Sequence, residues 1–158
     1  MDRDKLKSIG LLIDEKDADL LESNWFINKI RDRKYLRSCS RKNRRYLHRE
    51  VLTRKLGRAI MPKMVADHIN GNPLDNRRIN LRECTNSQNL SNRGKEKGNT
   101  SGFVGVWPCK QTGLWGAELT HNGKRMWLGR FKNKYAAAAV RNACSVTLRG
   151  EFHHSLQK

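Results

Sequence analysis

Between residues 67 and 89 the chain runs Asp67-His68, a loop rich in Asn and Gly, then Asn80 and Asn89. Cutting a phosphodiester takes a group that activates water, one that stabilises the leaving oxyanion, and positive charge against the phosphate. A single divalent ion can supply the last two. Asp67 offers a hard carboxylate and Asn89 an amide oxygen, donors that suit Mg2+ or Mn2+ better than zinc. His68 titrates near neutral pH and is the candidate general base. Neighbouring residues on a strand point to opposite faces. Asp67 and His68 therefore reach one phosphate together only at a strand end where the chain bends.

Short elements must hold these residues. Residues 9–13, 25–30 and 34–39 read as strands. Residues 45–56 read as a helix with Leu47, Val51, Leu52 and Leu56 on one face and Gly57 at its end. Residues 64–67 and 81–84 read as two strands joined by the polar loop 68–80. That loop contains the turn sequence Asn70-Gly71-Asn72-Pro73, with Asn72 and Asn76 as turn residues. Thr85 is placed to cap a helix over residues 86–92. Residues 94–102 lack apolar side chains and read as a linker. Beyond it, residues 103–107, 113–120 and 124–131 read as strands, with Asn122-Gly123 as a hairpin turn. An Ala-rich helix follows over 135–148, ending near Gly150. The expected class is α+β.

The 158 residues carry 33 Lys and Arg against 15 Asp and Glu, a net charge of +18. Such a balance points to a polyanion, nucleic acid first. Residues 24–63 hold fourteen bases and two acids, interleaved with aromatic and apolar residues, which reads as folded structure with a basic face. Arg41, Lys42, Arg44, Arg45 and Arg49 are its candidate DNA contacts. Arg77, Arg78 and Arg82 either touch phosphate or form a solvated face. Hydrophobic residues are 37% of the chain, too few for a large single-domain enzyme with a deep cofactor cleft. No apolar run approaches the roughly 20 residues of a membrane span, and the N-terminus does not read as a secretion signal. The expected compartment is the cytoplasm, the bacterial host's if the gene is phage-borne. Cys39, Cys84, Cys109 and Cys144 show no zinc spacing and read as unpaired thiols.

The segment Asp67-His68…Asn80…Asn89, with intervals of 12 and 9 residues, resembles the HNH nucleases, in particular phage and intron-associated homing endonucleases. The resemblance implies a ββα-metal core in which Asp67 and Asn89 hold one Mg2+ or Mn2+. It makes His68 the activator of water and Asn80 the brace of the loop that orients His68. The third letter is Asn where the family name has His. Tyr46-Leu47-His48-Arg49 resembles the segment that often precedes this core, which makes His48 a secondary candidate for phosphate binding or support of the site.

Residues 101–154 resemble the plant APETALA/ethylene-response-factor DNA-binding domain through Gly105-Val106-Trp107, Trp115-Gly116-Ala117-Glu118, Trp127-Leu128-Gly129-Arg130-Phe131 and Leu148-Arg149-Gly150-Glu151-Phe152. The resemblance implies a three-stranded antiparallel sheet on one helix, with the sheet in the major groove. The DNA-contact candidates are Trp107, Lys110, Trp115, Thr120, Lys124, Arg125, Trp127 and Arg130. Trp115 and Trp127 have a core role as the alternative.

The expected organisation is a nuclease domain with a basic N-terminal module over residues 1–93, a linker over 94–100 and a DNA-binding domain over 101–158. The expected activity is site-directed, metal-dependent cleavage of double-stranded DNA, by a monomer that nicks or a homodimer that cuts both strands, with no membrane and no zinc. The rival is a non-enzymatic DNA-binding regulator whose nuclease half is degenerate.

Overall fold

The computed structural model describes residues 6, 8–30, 32–38, 44–91 and 98–152. Cys39, Arg41, Lys42, residues 92–97 of the linker region, His153 and His154 lie outside the described residues. The chain divides into two compact units, Met1–Thr85 and Asn86–Lys158. The division falls ahead of the expected linker, at the end of a strand.

In the N-terminal unit, β1 (Trp25–Ile30) and β2 (Arg33–Ser38) form an antiparallel hairpin with Trp25 opposite Ser38 and Ile30 opposite Arg33. Helix α1 (Leu47–Leu56) follows. It begins two residues later than the sequence pattern places it, because Tyr46 stays extended and bridges Arg37. Gly57 ends it in the left-handed conformation, φ 65°, which glycine adopts without strain. Leu47, Val51 and Leu52 of α1 pack fully buried against Leu20, Trp25, Leu36 and Leu81. Each such aliphatic burial contributes about 1.5–3 kcal/mol. The Trp25 indole donates to the Leu20 carbonyl at 2.7 Å, which satisfies its only polar atom.

β3 (Met64–His68) and β4 (Leu81–Thr85) pair antiparallel, with Asp67 opposite Arg82 and His68 opposite Leu81. One expectation fails upstream, and one element was not expected. Residues 9–13 form no strand: Gly10 turns the chain at φ 81°, and only Leu12 bridges, in parallel, to Asp75. Residues Glu15–Glu22 form a 3-10 helix whose acidic composition gave no periodic signal.

The C-terminal unit begins with the short helix α2 (Asn86–Ser91). The order β3-β4-α2 is that of a ββα core, but α2 groups with the C-terminal unit, packing against β6 and the turn Gly150–Phe152. A six-residue helix buries too little to fix its own allegiance. Strands β5 (Val106–Pro108), β6 (Trp115–His121) and β7 (Lys124–Phe131) form one antiparallel sheet in chain order. β5 starts three residues later than expected, because Gly102 and Gly105 take positive φ and Asn99 donates to the Phe103 carbonyl at 2.8 Å. Helix α3 (Lys134–Arg149) packs behind the sheet. Asn133 caps it by accepting the Ala136 N–H at 2.8 Å. Ala137 and Ala138 let it approach Val106 and Ala117 closely. A register shift falls between Ala117 and Glu118, which pair with Gly129 and Trp127 and leave Leu128 as an extra residue. The bulge brings Trp127 and Arg130, three positions apart, to one face. Among the described residues no helix is long and apolar enough to cross a membrane.

Candidate active site and nucleic-acid interface

Asp67 and His68 end β3, where the loop 68–80 departs, and both are buried. The loop is a net of side-chain amides. The Asn80 Oδ1 accepts the Asn70 N–H at 2.9 Å, and its Nδ2 donates to Asn70 Oδ1 at 3.0 Å and to the Asp75 carbonyl at 2.8 Å. Asn70 Nδ2 donates to Asp75 Oδ2 at 2.8 Å. The Ile69 N–H reaches the Asn80 carbonyl at 2.9 Å, so both loop ends are tied to Asn80. The N-terminal segment adds outer ties. Leu12 N–H donates to the Leu74 carbonyl at 2.8 Å and Asn76 N–H to the Leu12 carbonyl at 2.7 Å. The Arg78 N–H donates to Asp14 Oδ2 at 2.7 Å.

The two strand-end residues meet different surroundings. Asp67 Oδ2 accepts from Arg82 Nε at 3.0 Å across the hairpin, and Arg82 Nη2 lies at the same distance. That pair is buried on both sides. His68 Nε2 lies 3.4 Å from Asn76 Oδ1, a long contact. On the ring's other side stand Tyr35 of β2 and His48 of α1, with ring centroids 6.3 Å and 5.1 Å from His68. Tyr46 closes the cluster, 5.6 Å from His48.

Burial lowers the pKa of His68, opposed by the Asn76 contact and by the charges of Asp67 and Asp75. Burial also lowers His48, to about 3, with the neighbouring His68 and Arg49 adding to the effect. Both rings are therefore neutral at pH 7. The His48 Nδ1 is buried and has no hydrogen-bond partner among the described residues. Arg77 beside Asp75 holds that carboxyl below its usual range, even against burial.

Asp67, Asp75, Asn70, Asn76 and Asn80 make this strand end rich in oxygen donors, a set whose chemistry fits a hard divalent cation. Among the described residues no group of three or more His, Cys, Asp or Glu is assembled. Asn89 lies on α2, in the C-terminal unit.

The basic candidates separate by partner. Arg77 donates through Nε and Nη2 to Asp75 at 2.8 and 2.7 Å. Arg78 makes the same fork on the fully buried Asp17 at 2.6 and 2.7 Å. Arg82 belongs to Asp67. All three arginines pair with carboxylates of the fold, Arg77 with its side chain still 46% exposed and Arg82 with its side chain 9% exposed. Arg44, Arg45 and Arg49 are exposed, Arg45 within 3.8 Å of Glu50. In the C-terminal unit, Trp107 and Trp127 lean together over Gly116, centroids 5.7 Å apart. A Cβ at Gly116 would stand 2.9 Å from Trp107 and 3.1 Å from Trp127. The Arg130 guanidinium lies 5.9 Å from the Trp127 ring. Lys110, Thr120, Lys124 and Arg125 are exposed, Arg125 within 3.6 Å of Glu118. Trp115 packs on the core with Phe103, Leu128 and Phe131, so its core alternative is the one the structure adopts.

Comparison with known proteins adds one assignment. Residues 45–91 match the HNH endonuclease family. The HNH segment contains α1, β3, the Asn-bonded loop, β4 and α2. The chain is also 39% identical over 59 residues to Protein 3.8 of Escherichia phage T7, covering 37% of this chain and 49% of that protein. It is 43% identical over 51 residues to an AP2/ERF and B3 domain-containing transcription factor of Arabidopsis thaliana, covering 32% of this chain and 14% of the plant protein. The chain thus spans less than two thirds of each relative. No solved structure matches it.

Three residues that the sequence left unremarked or as turn residues belong to the HNH segment's site. Asn76 faces His68, Asp75 anchors the loop, and Asn70 connects Asp75 to Asn80. The available signal was the density of Asn and Asp between two short strands, which turn chemistry alone explains. Tyr35 comes from outside the segment, and no pattern in the sequence connects it to His68.

Proposed function

We propose that this chain is a site-directed DNA endonuclease of the HNH homing type, using one divalent cation, Mg2+ or Mn2+, and His68 as general base. One observation carries the reading: the Asn70–Asp75–Asn80 net holds Asp67 and His68 at the bent end of β3, inside a segment of the HNH family. Asp67 would offer the cation a carboxylate, and the ion when bound supplies charge against the phosphate and the leaving oxyanion. His68 takes the proton of the attacking water. Burial keeps the ring neutral at pH 7, the form that can accept that proton. Asn80 acts through the loop it fixes, and His48 through its packing on the His68 ring. Arg44, Arg45 and Arg49, with Arg41 and Lys42 in the same basic block, grip the duplex. Trp107, Trp127 and Arg130 present the C-terminal sheet to it, with Lys110, Lys124 and Arg125 contributing charge. A monomer with one site nicks one strand. The likeness to a phage protein supports action in the cytoplasm of a bacterial host.

The test is nicking of supercoiled plasmid carrying candidate host or phage DNA, with Mg2+ or Mn2+ and with EDTA. His68→Ala is expected to slow nicking by at least about 100-fold while binding changes less than about twofold. A variant that nicks at the wild-type rate rules out His68 as the base. Binding without metal-dependent nicking on the bound target favours the non-enzymatic regulator.

A further inference from the structure

The lip of the His68 site has lost its cations to the fold. Arg77 and Arg78 both fork onto carboxylates. Between Arg78 and Asn80 stands Ile79, 80% exposed, the most exposed large hydrophobic among the described residues. A lone exposed aliphatic on a surface is ordinary. This one is held rigidly. Arg78 is fixed through its own N–H on Asp14 and its guanidinium on Asp17, and Asn80 through its three amide bonds. The intervening backbone is a single 3-10 turn, Arg78–Asn80, and a β-branched side chain has few rotamers. Ile69, itself 40% exposed, is tied to the same turn by its N–H on the Asn80 carbonyl at 2.9 Å. Two isoleucines thus edge the loop that carries His68, on a chain of net charge +18.

We propose that Ile79, with Ile69 beside it, is an apolar wedge that enters the base stack of duplex DNA next to the bond presented to His68, underwinding the helix there. Aliphatic side chains inserted between base steps unstack and kink a duplex. The unstacking is offset by phosphate contacts made elsewhere on the unit, where Arg44, Arg45 and Arg49 are exposed. A rigid, uncharged projection suits this role. A lysine or arginine at the same place would stop at the phosphates. The inference rests on the nuclease reading for the position of the wedge, and its partner is duplex DNA.

The test is topological and needs no known target. The full chain is bound in EDTA to relaxed closed-circular plasmid, an EDTA-tolerant type IB topoisomerase is added, and the linking number is read on a gel after protein removal. Wild type is expected to lower the linking number in proportion to protein bound. Ile79→Ser, compared at equal bound protein, should lose at least half of that shift, and Ile79→Leu should retain it. Equal shifts for wild type and Ile79→Ser, or no shift for wild type, overturn the wedge. Parallel samples with Mg2+ or Mn2+ report nicking. Nicking with no Ile79-dependent shift leaves the nuclease standing and removes the wedge. A shift that depends on Ile79 without nicking keeps the wedge, and the nuclease is then judged on the target-bearing plasmid.

Discussion

Replacing Asn80 with alanine removes three hydrogen bonds at once. The side chain is buried, and its amide joins Asn70 N–H, Asn70 Oδ1 and the Asp75 carbonyl at 2.9, 3.0 and 2.8 Å. A hydrogen bond of this kind contributes about 0.5–1.5 kcal/mol net, so the three together are worth about 3 kcal/mol. Small domains have about 5–15 kcal/mol in total, so Asn80→Ala should still fold but with a clearly lower urea midpoint. The local effect should be sharper. The Asn70 amide loses its acceptor, and the Ile69 amide loses the fixed geometry of the turn carrying the Asn80 carbonyl. Hydrogen exchange over residues 68–80 should therefore accelerate more than exchange in α1. Asn80→Asp is the companion variant. It keeps the acceptor for Asn70 N–H but turns both donations into contacts between oxygens, so it should be at least as damaging as alanine. The reasoning is refuted if Asn80→Ala lies within about 0.5 kcal/mol of wild type and the loop exchanges at its original rate.

Three further outcomes follow from other parts of the structure. His48 has a folded pKa of about 3 against about 6.5 when unfolded. Below pH 6.5 the unfolded chain takes up a proton that the folded chain refuses, so stability should fall between pH 6.5 and 3, by up to about 1.4 kcal/mol per pH unit from this residue; His48→Leu should flatten that slope in urea titrations at pH 7 and pH 5. Asp67→Asn strands the buried Arg82 without its counter-charge and should cost about 3–5 kcal/mol, whereas the double change Asp67→Asn with Arg82→Met should recover much of the loss in thermal melts. Gly116→Val puts a side chain where Trp107 and Trp127 meet, so it should cost about 1–3 kcal/mol and weaken duplex binding, with a red shift in indole emission.

Elements with a repeating pattern were legible. β1, β7, α1 and α3 fall close to their expected bounds, because each buries a stripe at its own period and ends on Gly, Asn or a turn. The residues at 9–13 were misread because four apolar residues around Gly10, without alternation, cannot distinguish a strand from a turn packed on the core. The 3-10 helix at Glu15–Glu22 was invisible for the opposite reason: Asp17 is buried by its bonds to Arg78, a long-range partnership that no local window contains. The same blindness affected the arginines. Arg77, Arg78 and Arg82 look like a basic patch until their acids, at positions 75, 17 and 67, come into view. At the candidate site, type and spacing singled out Asp67, His68 and Asn80, which the structure places at one strand end and its loop, whereas Asn70, Asp75 and Asn76 looked like ordinary loop chemistry. Trp115 and Trp127 share one residue type, and only the bulge at Leu128 and the packing of the sheet divide core from surface.

The stitching of Leu12, Asp14 and Asp17 onto residues 74–78 separates two notions of a module. The stretch inherited as a recognisable unit, 45–91, is shorter than the stretch that can fold into it. A fragment beginning at residue 45 would carry the loop's inner amide net but none of its outer ties. Grafting the matched stretch alone onto another scaffold would transplant the lettering of the site without its frame. On the ribosome the order is favourable: Asp14 and Asp17 emerge first and are waiting when Arg78, 64 and 61 residues behind them, arrives.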